Sequence, residues 1–207
     1  IVFFLFCGML TFISCTKDED IQEIPSYIKV DSIQLNSSLD QGENTENITD
    51  IWVYANDQFM GAYELPVTFP LLLKDSNNIK IFAGIKDNGI SGTRVRYHFY
   101  KSYEEDIFLK KDSITNISPE FIYTSSANFK IEDFDKVGVD WIKDTLNSEM
   151  NFEIKTEGNG NKYASAVVEG NHLTFQAVSD TFENLPQIGS PVYLEMDYKC
   201  NHDVVVG

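Results

Sequence analysis

From residue 27 onward the chain is a series of short runs rich in Val, Ile, Phe and Tyr, separated by clusters of Asn, Asp and Gly at spacings of about 8 to 12 residues. Runs this short cannot sustain the period of about 3.6 residues that gives a helix its apolar face, but they can alternate inward and outward as strands do. The punctuation therefore predicts an all-β chain of two consecutive β-sandwich domains, over 27–115 and 116–207. Apolar residues make up 43% of the sequence, which is enough for cores of that size without disulfide support.

In the first unit the expected strands are 27–35, 48–55, 59–65, 67–73, 79–85, 94–101 and 106–109. Asn56-Asp57 lies between two alternating runs, where both residues tolerate positive φ, so it predicts a tight hairpin. The stretch Trp52-Val-Tyr54, Asp57-Gln-Phe-Met-Gly61, Tyr63-Glu-Leu-Pro66 and Ile79-Lys-Ile81 resembles PEGA-like modules, which are small extracytoplasmic immunoglobulin-type sandwiches. The resemblance implies a noncatalytic spacer or wall-contacting unit. Here Gly84-Ile-Lys-Asp-Asn-Gly89 leads into a further run, so the domain is longer than the module it resembles.

In the second unit the expected strands are 121–123, 129–134, 151–156, 163–169, 172–178 and 192–198, with one short helical turn over 140–146. Phe152/Ile154, Ala164/Ala166/Val168, Leu173/Phe175/Ala177 and Val192/Leu194/Met196 form one apolar face. This pattern resembles a jelly-roll module of the carbohydrate-binding type, although it is shorter than a complete one. Asp203-Val-Val-Val-Gly207 reads as the middle of a strand, so the unit is expected to be a partial jelly roll, truncated at its C-terminus.

The N-terminus reads as an address. Residues 1–14 are apolar and uncharged, too short a run for the roughly 20-residue helix that spans a bilayer but suited to the apolar region of a signal peptide. Phe12-Ile13-Ser14-Cys15 resembles a bacterial lipobox, with Phe12 where Leu is usual, and it implies cleavage before Cys15 and lipid on its sulfur. The segment 15–26 is then the lipidated cysteine and an acidic tether. Within it Lys17, Asp18 and Glu19 resemble the signal that exports certain Gram-negative lipoproteins to the outer face of the outer membrane; the same residues also serve as a solvated spacer. The expected location is the outer membrane, at the cell surface. Because the chain opens on Ile1, the basic start of the signal is expected to lie upstream. One acyl chain binds membranes reversibly, whereas the two or three chains of a processed lipoprotein hold firmly.

Composition narrows the partners. With 16 Lys+Arg against 32 Asp+Glu, the net charge is −16, and no stripe of basic residues is present to displace counterions from nucleic acid. Of three cysteines, Cys7 leaves with the leader and Cys15 takes lipid, so Cys200 has no partner for an internal disulfide in the mature chain.

The polar face of the second unit gathers Tyr163, His172, Tyr193, Glu195 and Asp197, and these five are the candidate ligand-binding residues. Aromatic rings stack on the apolar faces of sugars while carboxylates take the hydroxyls. The same alternation also describes an ordinary solvated sheet face. No catalytic residues emerge. Pairs of carboxylates are inevitable in so acidic a chain, no Ser occupies a G-x-S-x-G elbow, and His98, His172 and His202 lack the spacing of a zinc site. Asp133, Asp135 and Asp140, and separately Asp40, Asn44, Glu46 and Asp50, concentrate oxygen ligands as calcium requires, but neither run is an EF-hand loop, and no metal or cofactor is expected. The sequence thus predicts a noncatalytic surface lipoprotein that binds a glycan or another envelope component through its second domain. The alternatives are a structural or assembly subunit of an outer-membrane complex and, behind that, an enzyme acting on polysaccharide.

Overall fold

The computed structural model describes residues 23–206 and is all-β. Cys15, Lys17, Asp18 and Glu19, with the leader around them, lie outside the described residues.

The first sandwich forms as the alternation requires. In β3 (Asp50–Ala55) Ile51, Val53 and Ala55 are buried while Trp52 and Tyr54 face outward, and in β6 (Asp75–Lys86) Ile79, Ile81 and Ala83 are buried while Lys80 and Phe82 face outward. β3 pairs antiparallel with both β4 (Gln58–Glu64) and β6. β6 continues the sheet to β7 (Arg94–Arg96) and pairs along its first half with β8 (Tyr103–Leu109). The opposing sheet has β1 (Ser26–Val30) at its centre, antiparallel to β5 (Val67–Leu71) and parallel to β9 (Ile114–Ile117). β2 (Gln34–Leu35) pairs with β10 (Glu120–Phe121) beside it. Ile28, Val30, Phe69 and Leu71 from one sheet meet Ile51, Val53, Ile79, Ile81 and Leu109 from the other in a single core.

The β3–β4 turn is the hairpin predicted by Asn56-Asp57. Both residues have positive φ, 50° and 62°, the backbone of a type I′ turn. Asn56 also ties the turn to β6: its Nδ2 donates to Oδ1 of Asn77 at 3.0 Å and its Oδ1 accepts from the Asn78 amide at 3.0 Å.

Several elements differ from the sequence reading. The expected run 27–35 is split into β1 and β2, and the expected strand 94–101 shortens to β7 before Tyr97 and Tyr100 turn into the core. The boundary expected after residue 115 falls inside β9, and Phe121 and Tyr123 are buried in the first core rather than opening a second. The helical turn expected over 140–146 is instead β11 (Trp141–Lys143), paired with β14 (Ala177–Ser179), followed by a turn that Asp144 organises. Asp144 accepts from the amides of Leu146 and Asn147 and from Asn147 Nδ2 at 2.7 Å, which holds its carboxyl below the usual carboxylate range.

Beyond Tyr123 the strands are short. β12 (Glu153–Thr156) pairs with β13 (Lys162–Ser165), and β11 with β14. Every buried hydrophobic residue among the described residues lies at or before Tyr123, while Leu146, Leu173, Ile188 and Leu194 are largely exposed. Polar ties hold this region together: Glu149 accepts from the amides of Leu173 and Thr174, and Ser148 Oγ from that of Gln176.

Candidate functional site

Tyr97, Tyr100 and Tyr123 enter the core of the first sandwich with their rings packed together, Tyr97 to Tyr100 at 4.5 Å and Tyr100 to Tyr123 at 4.9 Å between centroids. Part-buried hydroxyls require partners, and residues 193–197 of the second region supply them for Tyr97 and Tyr123. The Glu195 carboxylate accepts from the Tyr97 hydroxyl in a very short contact and from the Tyr123 hydroxyl at 2.8 Å. Tyr193 sets its ring 5.0 Å from that of Tyr97 and edge-on to Phe99 at 5.9 Å. Asp197 accepts from Thr45 Oγ1 at 2.6 Å.

Electrostatics at this seam follow from burial beside a carboxylate. Desolvation, then the hydrogen bond and charge of Glu195, push the Tyr97 hydroxyl far above the usual phenol range. Tyr100 moves the same way, through burial and its contact with Tyr123. Burial, aided by Glu195, pushes Tyr123 up to about 12. Tyr193 is also raised, by partial burial and the nearby charge of Asp87. All four stay neutral at ordinary pH, and the two that meet Glu195 act as hydrogen-bond donors to it.

The five candidate ligand residues therefore separate. Tyr193, Glu195 and Asp197 come together, but against the first sandwich. Tyr193 is not a free solvent-facing ring, because Tyr97 and Phe99 pack against it and leave it only partly exposed. Tyr163 lies on β13 opposite Lys155 and is 40% exposed, and His172 lies in the tight turn closed by its bridge to Glu169. No local period could have signalled the Tyr97–Glu195 contact, whose partners are 98 residues apart. The only available hint was the density of rings in Tyr97-His-Phe99-Tyr100.

The oxygen-rich loops are occupied by their own hydrogen bonds. Asp40 accepts from Ser38, which lowers its pKa, Asn44 from Ser37, and Glu46 from the Ile48 amide. Glu132 accepts from the amides of Phe134 and Asp140, and Asp133 from that of Asp135. Asp50 belongs to the sandwich, not to a loop. Only 2% exposed, it receives Arg94 at 2.9 Å, Trp52 Nε1 at 3.1 Å and Thr49 Oγ1 at 2.9 Å. The second guanidinium nitrogen of Arg94 reaches Glu64 at 3.2 Å.

These features define a β-sandwich protein whose C-terminal region is fastened to the sandwich by a tyrosine–carboxylate seam. No family model matches the sequence, no curated protein matches it, and no solved structure matches its fold.

Proposed function

We propose that this chain is a noncatalytic lipoprotein held to the outer membrane by lipid on Cys15, with the sandwich as its spacer and the region beyond Tyr123 as the part that meets another envelope protein. The supporting observation is the use of Tyr193, Glu195 and Asp197 within the chain. Three of five residues that could have formed a glycan face instead fasten 193–197 to the sandwich. The exposed aliphatic residues Leu146, Leu173, Ile188 and Leu194 are the side chains that a contact with another envelope protein would cover. Glycan binding in this region is a second reading, favoured by the exposed ring of Tyr163.

Fractionation of cells tests the anchor. Cys15→Ala is expected to release the protein into the soluble fraction and abolish palmitate incorporation, and unchanged membrane association overturns the reading. Replacing Lys17, Asp18 and Glu19 by Ala is expected to reduce protease accessibility on intact cells while leaving attachment intact. For the partner, Leu173→Asp with Leu194→Asp should abolish a stable co-purifying envelope protein. Retention of the unmodified protein on a glycan array that is lost with Tyr163→Ala would favour the second reading instead.

A further inference from the structure

The outward face of the β4–β3–β6–β7 sheet carries a contiguous row of rings. Trp52 lies 5.8 Å from Phe59, Phe59 lies 5.2 Å from Tyr54, and Tyr54 lies 5.5 Å from Phe82, with the Arg96 guanidinium 4.9 Å above the Phe82 ring. Phe59 is 48% exposed, and Trp52, Tyr54 and Phe82 are each partly open to solvent. The solvent side of a sheet usually bears polar residues, so four adjacent rings there are unusual.

The platform is rigid at one end. Trp52 donates its indole N–H to Asp50, and Asp50 is itself clamped by Arg94, which Glu64 holds from its other side. A Cβ at Gly84 would enter the space that the Asp50 carboxylate fills, so a glycine is required beneath the clamp. A ring held this firmly loses little further freedom when a ligand stacks on it.

The surrounding charges indicate what kind of ligand fits. Lys80 is paired with Asp57 and Glu104, and Arg94 with Asp50 and Glu64. Arg96 enters none of the ion pairs formed among the described residues. With all of these basic groups but Arg96 paired, this rim exerts little steering on a charged protein partner, and four partly covered rings offer far less than the roughly 800 Å² per partner of a stable protein interface. Ring faces flanked by one free donor match an uncharged ligand with apolar C–H faces and hydroxyl edges. We propose that this sheet face binds a neutral saccharide, with Trp52 and Phe59 stacking on sugar rings and Arg96 donating to hydroxyls. The site is separate from the anchor and from the region beyond Tyr123, so its failure would leave the assembly reading untouched.

The test uses the full chain carrying Trp141→Phe, which leaves Trp52 as the only tryptophan. Cellohexaose, maltohexaose and mannohexaose are titrated separately while Trp52 emission and its quenching by acrylamide are followed. The expected result is a saturable change with at least one of the three. Phe59→Ala should weaken that binding about tenfold, the upper end of what one stacked ring contributes, and Arg96→Ala should weaken it severalfold, both with unchanged melting temperature. No saturable change with any of the three overturns the proposal. So does an undiminished affinity in the Phe59→Ala variant, or protection of Trp52 by an envelope-protein fraction alone, which would assign the platform to a protein partner.

Discussion

A Cβ placed on Gly84 would lie 1.9 Å from Oδ1 of Asp50, because the two residues are directly paired across β3 and β6 and the carboxylate fills the space that any larger residue at this position would need. Rotating the carboxylate offers no relief. The same Cβ would lie 2.7 Å from Cγ and 3.1 Å from the Asp50 backbone oxygen, and Arg94, Trp52 and Thr49 all hold the group in place.

Gly84→Ala is therefore expected to destabilise the sandwich by about 3 kcal/mol, at the severe end of overpacking. For a domain of this size, that lowers the melting temperature by well over 10 °C, at roughly 4 to 8 °C per kcal/mol. Asp50→Ala is expected to cost a similar amount, about 3 kcal/mol, by leaving the indole N–H of Trp52 without its acceptor and the Arg94 guanidinium with Glu64 alone. The double variant should cost clearly less than the sum of the two, since removing the carboxylate opens the space that the added methyl group needs. Thermal unfolding of the four proteins decides the point, and strict additivity would refute the steric coupling.

The turn between β3 and β4 gives a second prediction. Asn56→Ala removes both side-chain bonds to β6 and places Ala at a φ of 50°, where a Cβ without a compensating amide is strained. A loss of about 2 kcal/mol is expected in chemical denaturation. A loss below about 0.5 kcal/mol would show that the turn does not need this residue.

The sandwich is legible in the sequence where alternation is strong. The runs around Ile51/Val53 and Ile79/Ile81 mark two strands that the structure contains, and Asn56-Asp57 carries its own backbone signature. β9 is not legible, because Thr115-Asn-Ile-Ser-Pro119 reads locally as a polar turn, and Ile114–Ile117 becomes a strand only through parallel pairing with β1, far away in sequence. Asp50 resembles a loop ligand in the sequence for the same kind of reason. Its role depends on facing Gly84 and Arg94, a register that no local pattern shows. The polar alternation of Tyr193, Glu195 and Asp197 does identify one shared face, but not that the face turns inward against Tyr97, Tyr123 and Thr45.

That inward turn makes the third prediction. Glu195→Ala leaves the Tyr97 and Tyr123 hydroxyls without the acceptor they share, and unpaired groups of this burial cost about 1 to 3 kcal/mol. The loss should appear first as release of the segment around Tyr193, because the sandwich core does not depend on it. Proteolytic cleavage within 192–198 is expected to become faster while the amides of β3 and β6 remain protected from hydrogen exchange. Loss of that protection in step with the cleavage would mean that the seam is part of the core's own cooperative unit.

The final prediction concerns alkali. A tyrosine is neutral when protonated, so a folded state that raises its pKa binds the proton more tightly than the unfolded chain does. The resulting stability is fully present below the ordinary phenol pKa of 10.0, and it is lost as pH rises through that value toward the folded one, about 12 for Tyr123. Tyr97 and Tyr100 shift in the same direction and extend the loss above that window. The melting temperature is thus expected to hold steady as pH 10 is approached and to fall steeply between about pH 10 and about pH 12. Tyrosinate absorbance should show the seam tyrosines ionising only as the protein unfolds. Glu195→Gln removes the charge that opposes ionisation but leaves the larger effect of burial, so in that variant Tyr123 should ionise at lower pH than in the unmodified protein while remaining above 10.0. Ionisation of every tyrosine in a single step near 10.0, with the fold intact, would contradict both the burial of these rings and their contact with Glu195.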